Sequence, residues 1–125
     1  MPDITSHYAA LLALLLVVLS MRVSLARRAA GIVLGLGDDR LLLRASRAQA
    51  NFIEYAPMTL ILILLLEMRG GPGWLLHALG SMLLAGRIAH GLGISREPEQ
   101  LRLRQLGMAL TFGAMLIGAA ALLLG

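Results

Sequence analysis

The sequence predicts an all-α integral membrane protein, a four-transmembrane-helix bundle that forms one domain over residues 1–125. Three observations predict it. The first is composition: 58% of the residues are hydrophobic and 14% charged, with a mean hydropathy of +0.82, whereas a soluble domain carries about 25% charge. The second is length. At about 20 residues per crossing, 125 residues hold four spans and no soluble domain. The third is the placement of charge. Every basic residue is an arginine, and the arginines flank apolar stretches instead of forming a patch with aromatic residues. A net charge of +4 and a pI of 11.1 therefore point to positive-inside topology and not to nucleic acid. The absence of cysteine excludes disulfides, thiolate metal sites and a cysteine nucleophile. No metal site is expected. Any thiol chemistry has to use a thiol that a ligand carries.

The first span is expected over residues 8–25. The preceding segment carries Asp3 and no positive residue, unlike a cleavable signal peptide, so the span is expected to be retained. Arg22, Arg27 and Arg28 close it. GIVLGLGDDR, residues 31–40, is a loop: its glycines break the helix, and Asp38 or Asp39 caps the next one. Its glycines lack the spacing and the strand–helix setting of a nucleotide-binding loop. The second helix covers residues 41–68, with a kink predicted at Pro57. RGGPG, residues 69–73, is a tight turn. The third helix covers residues 74–92, with Trp74 at an interface and His77 as an interfacial or packing histidine. Ala85, Ala89 and Gly93 recur every four positions, which permits close helix approach. After a second polar loop, GLGISREPEQ, the fourth helix covers residues 99–124. Gly107, Thr111, Ala114, Gly118, Ala121 and Gly125 give it a small-residue stripe suited to tight packing against a helix or another subunit.

Arginine counts set the expected orientation. Arg22, Arg27, Arg28, Arg40, Arg44 and Arg47 flank the first loop, and Arg87, Arg96, Arg102 and Arg104 flank the second polar loop. Only Arg69 lies in the turn between helices two and three. Both arginine-rich loops are expected in the cytoplasm and both termini outside.

The stretch RASRAQANFIEYAPMTLILILLLEM, residues 44–68, carries the chemistry. On a helix Arg47, Asn51 and Glu54 fall at i, i+4 and i+7 and share a face, with Tyr55 beside it. An intramembrane charge costs about 2.5–3.5 kcal/mol on insertion scales, so such a row is a functional-site hypothesis by default. The plain alternative is an Arg47–Glu54 pair that only locks helices. Arg87 and His90, three apart, share a face near the end of the third helix. Guanidinium forks suit carboxylates and phosphates, and a carboxylate among them suits an ammonium. Together they ask for a zwitterionic ligand with more than one carboxylate, such as a small peptide. Arg22, Arg40, Arg69, Arg96 and Arg104 read instead as a band touching anionic lipid heads.

The run from Arg47 to Pro57, of the form RxxxNxxEYxP, resembles the second-helix signature of the MAPEG family, the membrane-associated proteins of eicosanoid and glutathione metabolism. The resemblance extends along the chain. SLARRA (24–29), GRIAH (86–90) and EQLRL (99–103) are similar to the end of the family's first helix, the end of its third and the start of its fourth. The compact first loop looks like that of small bacterial members, which implies an inner membrane. The resemblance implies a homotrimer with glutathione at subunit interfaces near the cytoplasmic face. It implies that Arg47, Asn51, Glu54, Tyr55, Arg87 and His90 hold the peptide, with Arg27 and Gln49 contributing from the adjoining subunit side. Gln49 lies about 200° around the helix from Arg47, which fits a shared site. Arg102 matches the arginine that stabilises the glutathione thiolate. That thiolate would attack a lipophilic small molecule or reduce a lipid hydroperoxide arriving from the bilayer, as in a microsomal-type glutathione S-transferase. Where relatives of the leukotriene-synthase type carry third-helix tyrosines, this chain has His90 and then GLGI (91–94). His90 either substitutes as a donor or is structural. That departure keeps a second function in view, a non-catalytic trimer that binds lipid or a protein partner. A small exporter of cationic drugs needs a lone membrane carboxylate, and here Glu54 sits among arginines.

Overall fold

The computed structural model describes all 125 residues and consists of four helices: α1 (Asp3–Ala30), α2 (Arg40–Met68), α3 (Gly73–Ser95) and α4 (Leu101–Leu124). All four are long and apolar enough to cross a membrane. Successive helices run antiparallel, so both termini lie at one end of the bundle with the α2–α3 turn. The α1–α2 and α3–α4 loops lie at the other. α2 and α3 form the central pair, and α1 and α4 pack on opposite sides of it without meeting. Leu12, Leu19, Phe52, Ala56, Ile63, Leu76, Leu79, Leu83 and Ala114 fill the interior. Leu14, Val17, Val18, Leu116 and Leu123 stand exposed. This inside-out distribution suits a lipid solvent, which gives apolar side chains little reason to turn inward.

α1 is longer than the apolar span that predicts it. Asp3 in its first turn and Arg27 and Arg28 in its last complement the helix dipole and let the helix continue beyond the lipid-facing part. It stops at Gly31, whose φ of 69° is the left-handed cap, with the Gly31 N–H bonded to the Arg27 carbonyl. Its start has no side-chain cap of its own. Glu67, at the far end of α2, does the capping from across the bundle. Its carboxylate accepts from the backbone N–H of Ile4 (2.8 Å) and Thr5 (2.7 Å) and from the Thr5 hydroxyl. Asp39 is the cap of α2, accepting from the Leu42 N–H at 2.7 Å. α2 then continues as helix through Pro57. At the same end of the molecule as Glu67, Tyr8 bonds His77 Nδ1 (3.0 Å) and Ser81 Oγ (3.0 Å), so His77 ties α1 to α3.

The closest helix pair is α3 with α4. Gly107, Thr111, Ala114 and Gly118 are buried, as the stripe predicts, whereas its last members fall away, with Ala121 half-buried and Gly125 exposed. On α3 the outcome differs from the Ala85–Ala89–Gly93 expectation. Ala85 is exposed, and the buried face is Leu83, Gly86, His90 and Gly93. The phase of a small-residue repeat decides packing only where it coincides with the face a neighbour needs. At the crossing, the Gly86 and Gly107 backbones touch. A Cβ on Gly107 would stand 2.5 Å from the Gly86 carbonyl oxygen and from the His90 backbone nitrogen.

The α3–α4 loop is held by charge. Glu97 accepts from Arg40 (2.9 Å) and from Arg44 Nε (2.5 Å), and Glu99 accepts from Arg44 and Arg104 (3.1 Å each). Arg40 and Arg104 thus make ion pairs within the chain, and Arg69 donates to the Leu122 carbonyl at 3.0 Å near the end of α4.

Two outcomes follow from this packing. Gly107→Ala is expected to force α3 from α4, because both opposing atoms are backbone and cannot swing aside. A loss of about 1–3 kcal/mol is expected as a lower thermal midpoint in detergent; an unchanged midpoint would contradict the close approach. Acid is expected to loosen the loop. The Arg44 side chain first, and Arg40 next, hold the Glu97 carboxyl below the usual carboxylate range. A depressed pKa contributes stability above the unfolded value and loses it as pH falls through the folded one. The midpoint should therefore fall below about pH 4, with a shallower acid limb in Glu97→Gln.

Candidate functional site

The polar opening of α2 builds the site around one buried charge. Arg87, on α3, is 1% exposed and has no carboxylate partner. One terminal nitrogen donates to Asn51 Oδ1 on α2. The other donates to Thr111 Oγ1 on α4 at 3.3 Å, with Met108 Sδ alongside. The guanidinium also lies 5.9 Å from the centroid of the Phe52 ring, within cation–π range. An amide oxygen, a hydroxyl and a ring thus offset burial that would otherwise be costly. Because a guanidinium is donor-only, the Asn51 carbonyl has to face it. The Asn51 NH₂ is left as a donor for anything at the surface. Arg87 Nε and His90 Nδ1 are both buried without a partner, and His90 is 1% exposed.

Arg47 and Glu54 lie outside this buried layer. Their closest approach is 3.5 Å and each side chain is about half exposed, at 51% and 54%. Such an open, long pair contributes little to stability. It leaves a cation and an anion available to a ligand, so helix locking does not account for it. Tyr55 is half-buried and stands edge-on to Phe112 of α4, with ring centroids 5.4 Å apart. Helix geometry explains the division. At 100° per residue, Arg47 and Glu54 differ by about 20°, whereas Asn51 and Tyr55 lie about 40° and 80° toward the inner side. Arg47 also enters a cavity of about 290 Å³ with Arg40, Leu43, Arg44, Ile94, Glu99 and Arg104.

The remaining candidates lie elsewhere. Gln49 donates to Ser20 Oγ on α1 at 3.0 Å, and Arg27 donates to the Gly35 carbonyl at 2.6 Å. Both belong to the α1 side of α2, away from Arg47. Arg102 is exposed and makes no hydrogen bond or ion pair within the chain. Arg104, two residues on and about 200° around α4, is the one that lines the cavity. The structure thus brings together Arg47, Asn51, Glu54 and Tyr55 with Arg87 and His90 behind them. Gln49 and Arg27 occupy a second face, and Arg102 stands apart. Arg44 and Arg104, with Glu97 and Glu99, are members of the cavity region that sequence reasoning missed. A signal existed for Arg44, which lies one turn before Arg47. No group of three or more His, Asp or Glu side chains comes together to hold a metal.

Comparison with known proteins identifies the family. The MAPEG family model matches residues 5–124. The chain is 36% identical over 114 residues to "Inner membrane protein YecN" of Escherichia coli (strain K12), covering 91% of this chain and 86% of that one. The same identity and coverage hold for the protein of that name in Escherichia coli O6:H1. No solved structure matches the chain. The family match runs through all four helices, and the chain belongs to the MAPEG family.

Proposed function

We propose that this protein is a glutathione-dependent transferase or peroxidase of the bacterial inner membrane, acting on lipophilic electrophiles. The observation that carries the reading is the Asn51 donor, fixed by the buried Arg87, beside an open Arg47–Glu54 pair. This set offers a cation for one carboxylate of a peptide, an anion for its ammonium and neutral donors for its acceptors. Arg47 takes a carboxylate, Glu54 takes the ammonium, and the Asn51 amide and Tyr55 hydroxyl meet peptide acceptors. Family membership favours glutathione, and the relatives' printed name favours the inner membrane. The arginine-rich loops face the cytoplasm, where the peptide thiol is, and the termini face outward.

The proposed reaction uses Arg102 to stabilise the thiolate. A nearby guanidinium lowers a thiol's pKa and raises the reactive fraction at neutral pH. The thiolate sulfur attacks an electrophilic carbon, a C–S bond forms, and the leaving group departs with the electron pair. With a lipid hydroperoxide, sulfur attacks the terminal oxygen and the alcohol leaves. A second glutathione then releases water and glutathione disulfide. Within one chain Arg102 is exposed and apart from the Asn51 row, while Gln49 faces α1, the helix that carries Arg27. A homotrimer reconciles both, with one subunit supplying the row and its neighbour the other residues.

The non-catalytic reading, a trimer that binds lipid or a partner, draws on His90 and Ile94. Both are buried, in the stretch where relatives of the leukotriene-synthase type carry tyrosines. Turnover separates the two readings. The purified protein is expected to conjugate glutathione to an activated aryl chloride. Arg102→Ala should lower kcat by about 10²–10³ with the KM for glutathione within a few-fold. Glu54→Ala should raise that KM by about ten- to a hundredfold, the loss of a hydrogen bond to a charged group. Wild-type kinetics in both variants would mean the site lies elsewhere.

A further inference from the structure

The five residues between α3 and α4, 96–100, show little of what usually holds a loop. Arg96, Glu97, Pro98 and Gln100 are exposed. The end of α3 has an extended residue, Arg96, in place of a closing turn. One backbone bond, from the Gln100 N–H to the Gly93 carbonyl at 3.0 Å, joins the segment to α3. What fastens it is two carboxylates. Glu97 reaches Arg40 and Arg44, and Glu99 reaches Arg44 and Arg104. These three arginines line the 290 Å³ cavity beside Arg47. Three of its four guanidiniums are therefore occupied by the chain's own acids, and Arg47 faces Glu54. Arg44 is shared, with Nε on Glu97 and a terminal nitrogen on Glu99.

We propose that Glu97 and Glu99 form an internal carboxylate strap that occupies three of the cavity's arginines in the absence of ligand and selects for ligands bearing two carboxylates. The inference rests on reading the α2 row as a peptide-thiol site, and it adds what decides the charge class of that ligand. The pairs are solvent-facing, with Glu97 38% and Glu99 28% exposed, so exchanging them for another carboxylate is inexpensive. A ligand with one carboxylate frees one glutamate and leaves the other still holding Arg44. That trades one pair for another and leaves the freed acid without a guanidinium. A dicarboxylate takes both positions on Arg44 and its neighbours together and releases the whole loop into water. The gain in loop freedom then favours exchange only for the doubly charged ligand.

The test uses glutarate, a dicarboxylate with no thiol, on the purified wild-type protein in detergent. Exchange of the Gln100 amide, the one bonded to the Gly93 carbonyl, is expected to accelerate as glutarate is added, and to stay constant with acetate at equal ionic strength. Glu97→Gln combined with Glu99→Gln removes the competitor, so glutarate is expected to bind about tenfold tighter than to wild type. Exchange that slows or does not change with glutarate overturns the strap, as does a double variant that binds glutarate no tighter. Glutathione is tested separately. If glutarate opens the loop but glutathione binds neither protein, the peptide-thiol reading falls and the strap stands.

Discussion

A single buried guanidinium organises the bundle at its loop end. Arg87 is almost inaccessible, and its partners come from α2 and α4 as well as from the packing around α3. A charge in this position tolerates few arrangements. It has to keep Asn51 and Thr111 within reach, and the two helices that carry them then lie at set rotations against α3. Thr111 in turn donates to the Gly107 carbonyl at 2.8 Å, next to the point where the α3 and α4 backbones touch. The close glycine approach and the arginine network therefore support each other. Without the glycines Arg87 would not reach Thr111, and without the polar partners nothing would offset bringing a charge between two helices.

The bundle has three kinds of tie, and each answers the weak pull that apolar side chains feel toward one another in lipid. Small residues let α3 and α4 approach. Polar side chains pin the terminal end, where Glu67 caps α1 from another helix and Tyr8 joins His77. Ion pairs fasten the loop end through Glu97 and Glu99. The functional surface lies between the first and third of these. Its buried layer, Asn51 and Arg87, is rigid by construction. Its outer layer, Arg47 and Glu54, is loosely paired and open. That division would suit recognition, because a ligand there would meet a fixed donor and adjustable charges.

Much of this was legible in the sequence because a helix repeats every 3.6 residues. Four apolar stretches gave four helices, and the family signature on α2 located the row Arg47, Asn51, Glu54 and Tyr55. The small-residue stripe that starts at Gly107 named the buried face of α4 as far as Gly118, and the Asp38–Asp39 pair marked where α2 is capped. What stayed hidden depended on contacts between distant segments. Glu67 lies more than 60 residues from the amides it caps, and nothing local marks a carboxylate near the end of an apolar helix as a cap for another helix. The strap was hidden for a related reason. Glu97 and Glu99 beside Pro98 read as an ordinary helix start, and only the fold brings Arg40 and Arg44 to them. Ala85 and Gly86 are neighbours, but the phase that decides which one packs is set by α4. The place of Arg102 is likewise a question of phase: Arg104 lines the chain's own cavity, and Arg102 is exposed.

The central claim is that this site makes a thiolate, and thiolate formation has a direct optical signal. The ultraviolet difference spectrum of the purified protein titrated with glutathione, with no electrophile present, measures it before any substrate is known. A thiolate absorbance that rises and saturates with glutathione is expected, since a bound thiol beside a guanidinium ionises at neutral pH. Folded protein that gives no such absorbance at any glutathione concentration would contradict the claim and leave a membrane protein that binds without activating.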